Sequence, residues 1–161
     1  MTDFEKVYTE NSDFIFKYLY KLCQNTSLAE ELTQETFFRA YMNFSSLRDK
    51  TKAPVWLCQI AKYVYYQSLD KKRRSKEVTF DEAVEIAMHE EVQKSIEDAE
   101  AKLHIYKVIH ALPSPMRDVV MLKLTGELSF KEIGNVLGQS ENWARVTYYR
   151  AKQKILREVS E

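Results

Sequence analysis

The chain has 161 residues, 45% of them hydrophobic, with only three Gly and three Pro. That is a globular composition, which excludes a disordered chain. It carries 24 Lys/Arg and 24 Asp/Glu, and no apolar run approaches the roughly 20 residues needed to span a bilayer.

The zero net charge conceals an uneven distribution. Residues 1–74 hold 12 Lys/Arg against 9 Asp/Glu, residues 75–102 hold 3 against 9, and residues 103–161 hold 9 against 6. Two basic ends flanking an acidic middle fit two nucleic-acid-facing modules. Strand-like alternation is scarce, so the expected fold class is all-α: two small helical domains joined by an acidic linker. The N-terminus, MTDFEKVYTENSDF, lacks the basic start and apolar core of a signal peptide, so a cytoplasmic protein is expected. Cys23 and Cys58 are isolated in helical patterns and read as buried thiols.

The first predicted helix runs from about Phe4 to Leu22, with Phe14, Ile15, Tyr18, Leu19 and Leu22 on one face. Ser27 and Glu30 form an S-x-x-E capping box that opens a second helix, to about Phe44. Thr33, Phe37, Ala40, Tyr41 and Phe44 read as its buried stripe. A second stripe, Glu31, Gln34, Glu35, Phe38 and Met42, points elsewhere. Phe38 and Met42 among acids fit a partner-binding surface, or a cover for a neighbouring helix.

A polar loop, Ser45 to Lys52, precedes a third helix that has Pro54 in its first turn and ends in the basic tetrad Lys71-Lys72-Arg73-Arg74. Leu57, Ile60, Ala61, Val64 and Ser68 cluster on one side of it. Gln59, Lys62, Tyr63 and Tyr66 lie roughly opposite. Two tyrosines, a lysine and an amide form either a platform on which unstacked bases stack, or a mixed surface with the tyrosines packed on the first helix. The tetrad supplies charge for phosphates.

Residues 75–102 are acidic and poor in large apolar side chains, and read as a linker with some helix after a Thr79–Glu82 capping box. The expected domains are therefore residues 1–74 and 103–161. Helices are predicted over 103–111, 114–124, 129–137 and 141–158, with Pro113 and Pro115 punctuating the first two.

The last two form a helix-turn-helix. Ser129 and Glu132 box the start of the first, Ile133, Val136 and Leu137 give its apolar face, and Gly138 takes the left-handed conformation that ends it. Ser140 caps the next helix, whose Ala144, Tyr148, Ala151 and Ile155 share a buried face. Asn142, Arg145, Val146, Tyr149, Arg150 and Lys152 then face outward, as a major-groove reader requires.

Little in the chain supports catalysis. Three glycines supply no phosphate-cradling loop, and His89-Glu90-Glu91-Val92-Gln93 has Gln93 where H-E-x-x-H needs its second ligand. His104 and His110 have no carboxylate or thiol partner at ligand spacing. No enzyme, cofactor or metal site is expected.

Ala29 to Arg74 resembles region 2 of extracytoplasmic-function (ECF) sigma factors, and Ala111 to Ile155 resembles their region 4. The resemblance implies a bacterial transcription-initiation subunit that binds core RNA polymerase and directs it to promoters, with an anti-sigma factor as a further expected partner. The E-L-x-Q-E-x-F run is similar to the family segment that docks on core polymerase, implying that role for Glu31, Leu32, Gln34, Glu35 and Phe38. The loop and the helix after Pro54 correspond to the part that captures the melted −10 strand. That places Lys52, Trp56, Gln59, Lys62, Tyr63, Tyr66, Lys71, Lys72, Arg73 and Arg74 at that strand. In region 4 the resemblance puts base contacts at Val146, Tyr149 and Arg150, beside Asn142, and phosphate contacts at Arg145, Thr147 and Lys152. The chain departs from the family pattern at Lys62-Tyr63 and Gln67, where Arg-Asn and an Asp are common, and at Asn142-Trp143-Ala144, where Gly-Thr-Val is common. Two rival classes are a stand-alone helix-turn-helix regulator that binds a palindrome as a dimer, and an adaptor with no promoter-selective DNA affinity.

Overall fold

The computed structural model describes residues 1–76, 82 and 99–160. Among them are seven α-helices and two short 3-10 turns. The helices are α1 (Asp3–Cys23), α2 (Thr26–Met42), α3 (Ala53–Lys76), α4 (Ala99–Ala111), α5 (Met116–Leu124), α6 (Phe130–Leu137) and α7 (Glu141–Ser160). Most of the acidic segment, including the Thr79–Glu82 box, lies outside the described residues.

A capping box starts α1: the Thr2 hydroxyl accepts from the Glu5 amide, and the Glu5 carboxylate accepts from the Thr2 amide. Gln24 ends the helix in the left-handed conformation, at φ 52°. The expected Ser27–Glu30 box does not form. Asn25 caps α2 instead, its side-chain oxygen accepting from the Leu28 amide at 2.9 Å, and Ser27 falls inside the first turn.

The polar loop is partly ordered by the 3-10 turns Phe44–Ser46 and Lys50–Lys52. Between them Leu47 is buried, and the Lys50 ammonium sits 4.1 Å from the centre of the Phe44 ring.

Helices α1, α2 and α3 pack against one another. Ile15, Tyr18, Leu19, Leu22, Leu57, Tyr65 and Leu69 are essentially inaccessible at the centre of this unit. Burial of each such aliphatic side chain contributes roughly 1.5–3 kcal/mol. The buried stripe of α2 is rotated from the expected one: Leu32 and Thr36 are buried beside Ala29, Phe37 and Ala40, while Tyr41 is 63% exposed. Cys23 and Cys58 are buried thiols, and burial raises the Cys58 thiol above its usual pKa.

In the second unit α7 packs against α4, α5 and α6 around Val119, Met121, Leu122, Ile133, Ala144 and Ala151. The two units also touch: α1 packs on α5, and α3 on α6. The Leu22 carbonyl, left without a helical partner at the C-terminus of α1, accepts from the Tyr65 hydroxyl at 3.2 Å and meets His110 Nε2 at 3.1 Å. One carbonyl thus joins α1, α3 and α4.

Because a carbonyl only accepts, Nε2 carries the proton of neutral His110. Burial first, then the Arg117 guanidinium, hold this imidazole at about 4, against the opposing pull of the Leu22 carbonyl. The unfolded chain therefore takes up this proton at a higher pH than the folded one. The contribution of this group to stability should be level above pH 6.5 and should fall as the pH drops from 6.5 toward 4, by roughly 3 kcal/mol in all. Thermal melts at stepped pH check this against His110→Gln, a neutral donor that should flatten this part of the acid decline. Identical decline in both proteins would remove His110 from the account.

Candidate partner and nucleic-acid interfaces

The first candidate surface is the outward stripe of α2. Phe38 and Met42 are 61% and 64% exposed, and Tyr41 joins them. Glu31 and Gln34 are exposed at the N-terminal end of the stripe. Glu35 is half-buried and accepts from Arg39 Nε at 2.8 Å. Leu32, expected at this surface, is 4% exposed and belongs to the core, because its side chain points down between α2 and its neighbours. A groove of about 880 Å³ between α2 and α3 is lined by Glu31, Gln34, Phe38, Arg39, Gln67 and Arg74, among others. Large apolar side chains beside acids and a groove suit a protein partner that presents cations and an apolar anchor.

The second candidate surface is the face of α3. Tyr63 is 62% exposed, with the Arg39 guanidinium 5.7 Å from its ring centre. Arg39 also donates to the Gln67 side-chain carbonyl at 2.6 Å, so Tyr63 and Gln67 are held by one cation from α2. Gln59, Lys62 and Tyr66 lie toward the second unit; Lys62 and Tyr66 are half-buried there, while Gln59 stays exposed. Gln59 donates to the Asn135 carbonyl at 3.3 Å, and Tyr66 donates to Asp118 at 2.7 Å. Burial and the neighbouring Asp118 raise the Tyr66 phenol above its usual pKa, so it remains a donor. Trp56 packs near Phe44, while Lys52 is exposed. In the basic tetrad Asp70 pairs with Arg73 at 2.6 Å and Arg74 at 2.7 Å. Lys71 is exposed and Lys72 half-buried. Four cations on one turn of chain, partly offset by Asp70, suit a phosphate backbone.

The third candidate surface is the helix-turn-helix of α6 and α7. The Ser129–Glu132 capping box forms, Gly138 is left-handed at φ 68°, and Ser140 Oγ accepts from the Trp143 amide at 3.0 Å to cap α7. Sequence reading passed over Gly134. The turn backbone folds so closely onto it that a Cβ there would lie 2.6 Å from the Gln139 carbonyl oxygen and 2.8 Å from that of Ser140. A small residue inside an amphipathic helix, five positions before the turn, was the available signal.

Along α7, Asn142, Arg145, Val146, Tyr149, Arg150 and Lys152 are exposed. Thr147 does not join them. It is 8% exposed, on the buried side with Ala144 and Ala151, because it follows Ala144 by three residues and precedes Ala151 by four. The outward row is braced by Phe130, which sequence reading also missed. Its ring lies 5.6 Å from Tyr148 and 6.3 Å from Tyr149, with the Arg145 guanidinium 5.4 Å from its centre. Arg145 is further tethered to Glu141 at 3.1 Å. A rigid helix carrying Arg, Lys, Asn and Tyr outward can place donors at base edges and phosphates. Among the described residues no group of three or more His, Cys, Asp or Glu is placed to hold a metal.

Residues 7–75 match the family model for Sigma-70 region 2, and residues 102–155 match that for Sigma-70, region 4. The chain is 28% identical over 152 residues to the ECF RNA polymerase sigma factor SigM of Bacillus subtilis, covering 94% of this chain and 91% of that protein. It is 28% identical over 158 residues to SigW, an ECF RNA polymerase sigma factor of the same organism, with 91% and 83% covered. Among solved structures it is similar to the sigma factor RpoE of Bartonella quintana, co-crystallised with the anti-sigma factor NepR. The TM-score there is 0.70 at 17% identity, covering 99% of this chain and 98% of that one.

Proposed function

The chain belongs to the sigma-70 family of RNA polymerase sigma factors, in its ECF group, and from that premise we propose how its surfaces divide the work of initiation. As an alternative sigma factor it binds core RNA polymerase and promoter DNA and directs promoter recognition, and it catalyses no reaction itself.

In this reading residues 1–74 form region 2 and residues 103–161 region 4, joined by the acidic linker. Glu31, Gln34, Glu35 and Phe38 dock on core polymerase, with Leu32 holding the stripe from beneath. Region 4 anchors the −35 duplex through α7. Region 2 captures the unpaired −10 strand through the face of α3 and the tetrad. Melting is driven by differential binding: the chain favours the open promoter by the affinity it has for single strand over duplex. The pairing, in one chain, of an acid-flanked apolar stripe on α2 with a cationic groove-reading row on α7 carries the reading.

A subunit that works on core polymerase and promoter DNA acts in the cytoplasm, and no described helix is long and apolar enough to cross a membrane. The fold-level likeness to an RpoE held by an anti-sigma factor supports an inhibitory protein partner for this chain too.

The two arginines of α7 should part company on substitution. Arg150→Ala should relax base preference at one −35 position, at a cost of roughly 1–3 kcal/mol. Arg145→Ala should weaken duplex binding nearly uniformly across sequences and lower the salt slope by about 1. A binding selection on randomised −35 duplexes, read at several salt concentrations, checks both. Unchanged base preference with Arg150→Ala, or an unchanged slope with Arg145→Ala, would contradict the assignment.

A further inference from the structure

Region 4 covers part of the very face of α3 that region 2 needs for the −10 strand. The contact centres on Asp118, in the first turn of α5, whose side chain is 6% exposed. Its Oδ1 accepts from the Tyr66 hydroxyl at 2.7 Å, and its Oδ2 accepts from the Ser114 hydroxyl at 2.9 Å. The Lys62 ammonium stands 3.9 Å from Oδ2. Arg117 Nε donates to the Tyr66 oxygen at 3.2 Å, so the phenol is engaged on both sides. Together Lys62, Tyr66, Ser114, Arg117 and Asp118 line a shallow cleft of about 380 Å³.

We propose that the Asp118 carboxylate is an internal phosphate mimic: it occupies, on Lys62 and Tyr66, the anion position that a phosphate of the melted −10 strand takes, and so holds the free chain shut against DNA. The proposal rests on the reading of α3 as the −10 face. Its chemistry is simple. A hydroxyl donor and an ammonium converging on one oxyanion accept a carboxylate or a phosphate equally well. A carboxylate taken out of water is stable only where donors replace its hydration, and here region 2 provides the hydroxyl and the nearby cation. The Lys62 side chain is about a third exposed and its charge adds little alone, so the contact is weak enough to be exchanged. Gln59, though exposed, also donates to an acceptor of region 4, the Asn135 carbonyl at 3.3 Å. Tyr63 and Gln67, on the side turned to α2, are exposed. The free chain therefore leaves part of its −10 face open and occupies Lys62 and Tyr66 with a carboxylate of its own.

The test uses the full chain and a fluorescein-labelled pool of randomised single-stranded 12-mer DNA, read by anisotropy. Asp118→Asn keeps the side chain's shape and removes its charge. It should bind the pool roughly tenfold more tightly than the natural chain, as expected for loss of one charge-assisted hydrogen bond from the closed state. Adding Lys62→Ala should erase that gain. Ser114→Ala deletes a donor that holds the Asp118 carboxylate without touching the −10 face, and should also tighten binding, by less. If Asp118→Asn loses its cooperative melt, Ser114→Ala decides alone. Unchanged affinity in the folded Asp118→Asn and Ser114→Ala proteins, with Lys62→Ala still weakening the natural chain, overturns the mimic and leaves the −10 reading standing. No effect of Lys62→Ala in any background overturns both.

Discussion

Replacing Gln34 and Phe38 together by alanine is expected to abolish co-purification with core RNA polymerase while leaving the chain folded. Phe38 is 61% exposed, and Gln34 is exposed one turn before it on the same stripe. The buried stripe of α2 runs through Ala29, Leu32, Thr36, Phe37 and Ala40, so removal of either side chain opens no cavity in the core. At an interface the same two groups matter far more. A phenylalanine that goes from this exposure to full burial contributes roughly 1.5–3 kcal/mol. A central anchor of this kind costs about 2 kcal/mol or more on truncation. With the amide lost as well, affinity should fall on the order of a hundredfold or more. Pull-down with tagged core polymerase, paired with a thermal melt, reads both halves of the expectation. Wild-type recovery of the double variant would remove α2 as the docking element. A collapsed melt would show that the stripe belongs to the fold.

Gly134→Ala should be the most damaging single substitution in region 4. The new Cβ would lie 2.6 and 2.8 Å from the carbonyl oxygens of Gln139 and Ser140. Both are backbone atoms and cannot swing aside as a flexible side chain does. The Gln139 amide also donates to the Gly134 carbonyl at 2.7 Å, so separating the two segments breaks the bond that sets the turn. Overpacking of this kind costs typically 1–3 kcal/mol, and here it also changes the angle at which α7 leaves α6. Duplex binding should therefore fall by more than the loss of stability accounts for. Gly138→Ala is the informative comparison. Gly138 has φ 68° but nothing within 4 Å of the site of a Cβ, so the cost is the left-handed conformation alone, about 1–2 kcal/mol. Melting and −35 duplex affinity of the two variants should rank Gly134→Ala as the worse on both. A Gly134→Ala protein with natural melting and affinity would show that the turn has slack that its geometry denies.

The contrast between those glycines shows what was legible in the sequence. Gly138 announces itself by position, since a glycine after the last apolar residue of a helix is a local signal, as is the Ser129–Glu132 box before it. Local signals carried most of the helix-turn-helix and the order of all seven described helices. Gly134 is required by a chain segment five residues away folding back, which no helical period encodes. The rotation of the α2 stripe has a similar cause. That helix packs against both α1 and α3, so apolar residues occur on more than one side, and Tyr41 is as plausible a core residue as Leu32 until the neighbours are placed. The Asn25 cap displaced Ser27 because two good caps stood two residues apart. The largest omission was the engagement of Gln59, Lys62 and Tyr66 by the second unit. Their partners are 52 or more residues away in sequence, in a module whose docking no periodicity in α3 predicts.

This chain initiates transcription by carrying core polymerase to promoters. Run-off transcription with purified core polymerase on fragmented genomic DNA of the source organism, with RNA 5′ ends mapped by sequencing, tests it most directly. Addition of the chain should produce a discrete set of start sites absent with core alone, each preceded by a shared pair of −35 and −10 elements, and the Gln34→Ala, Phe38→Ala double variant should produce none. A protein that binds palindromic duplex as a dimer, with no new start sites when core polymerase is supplied, would contradict the account.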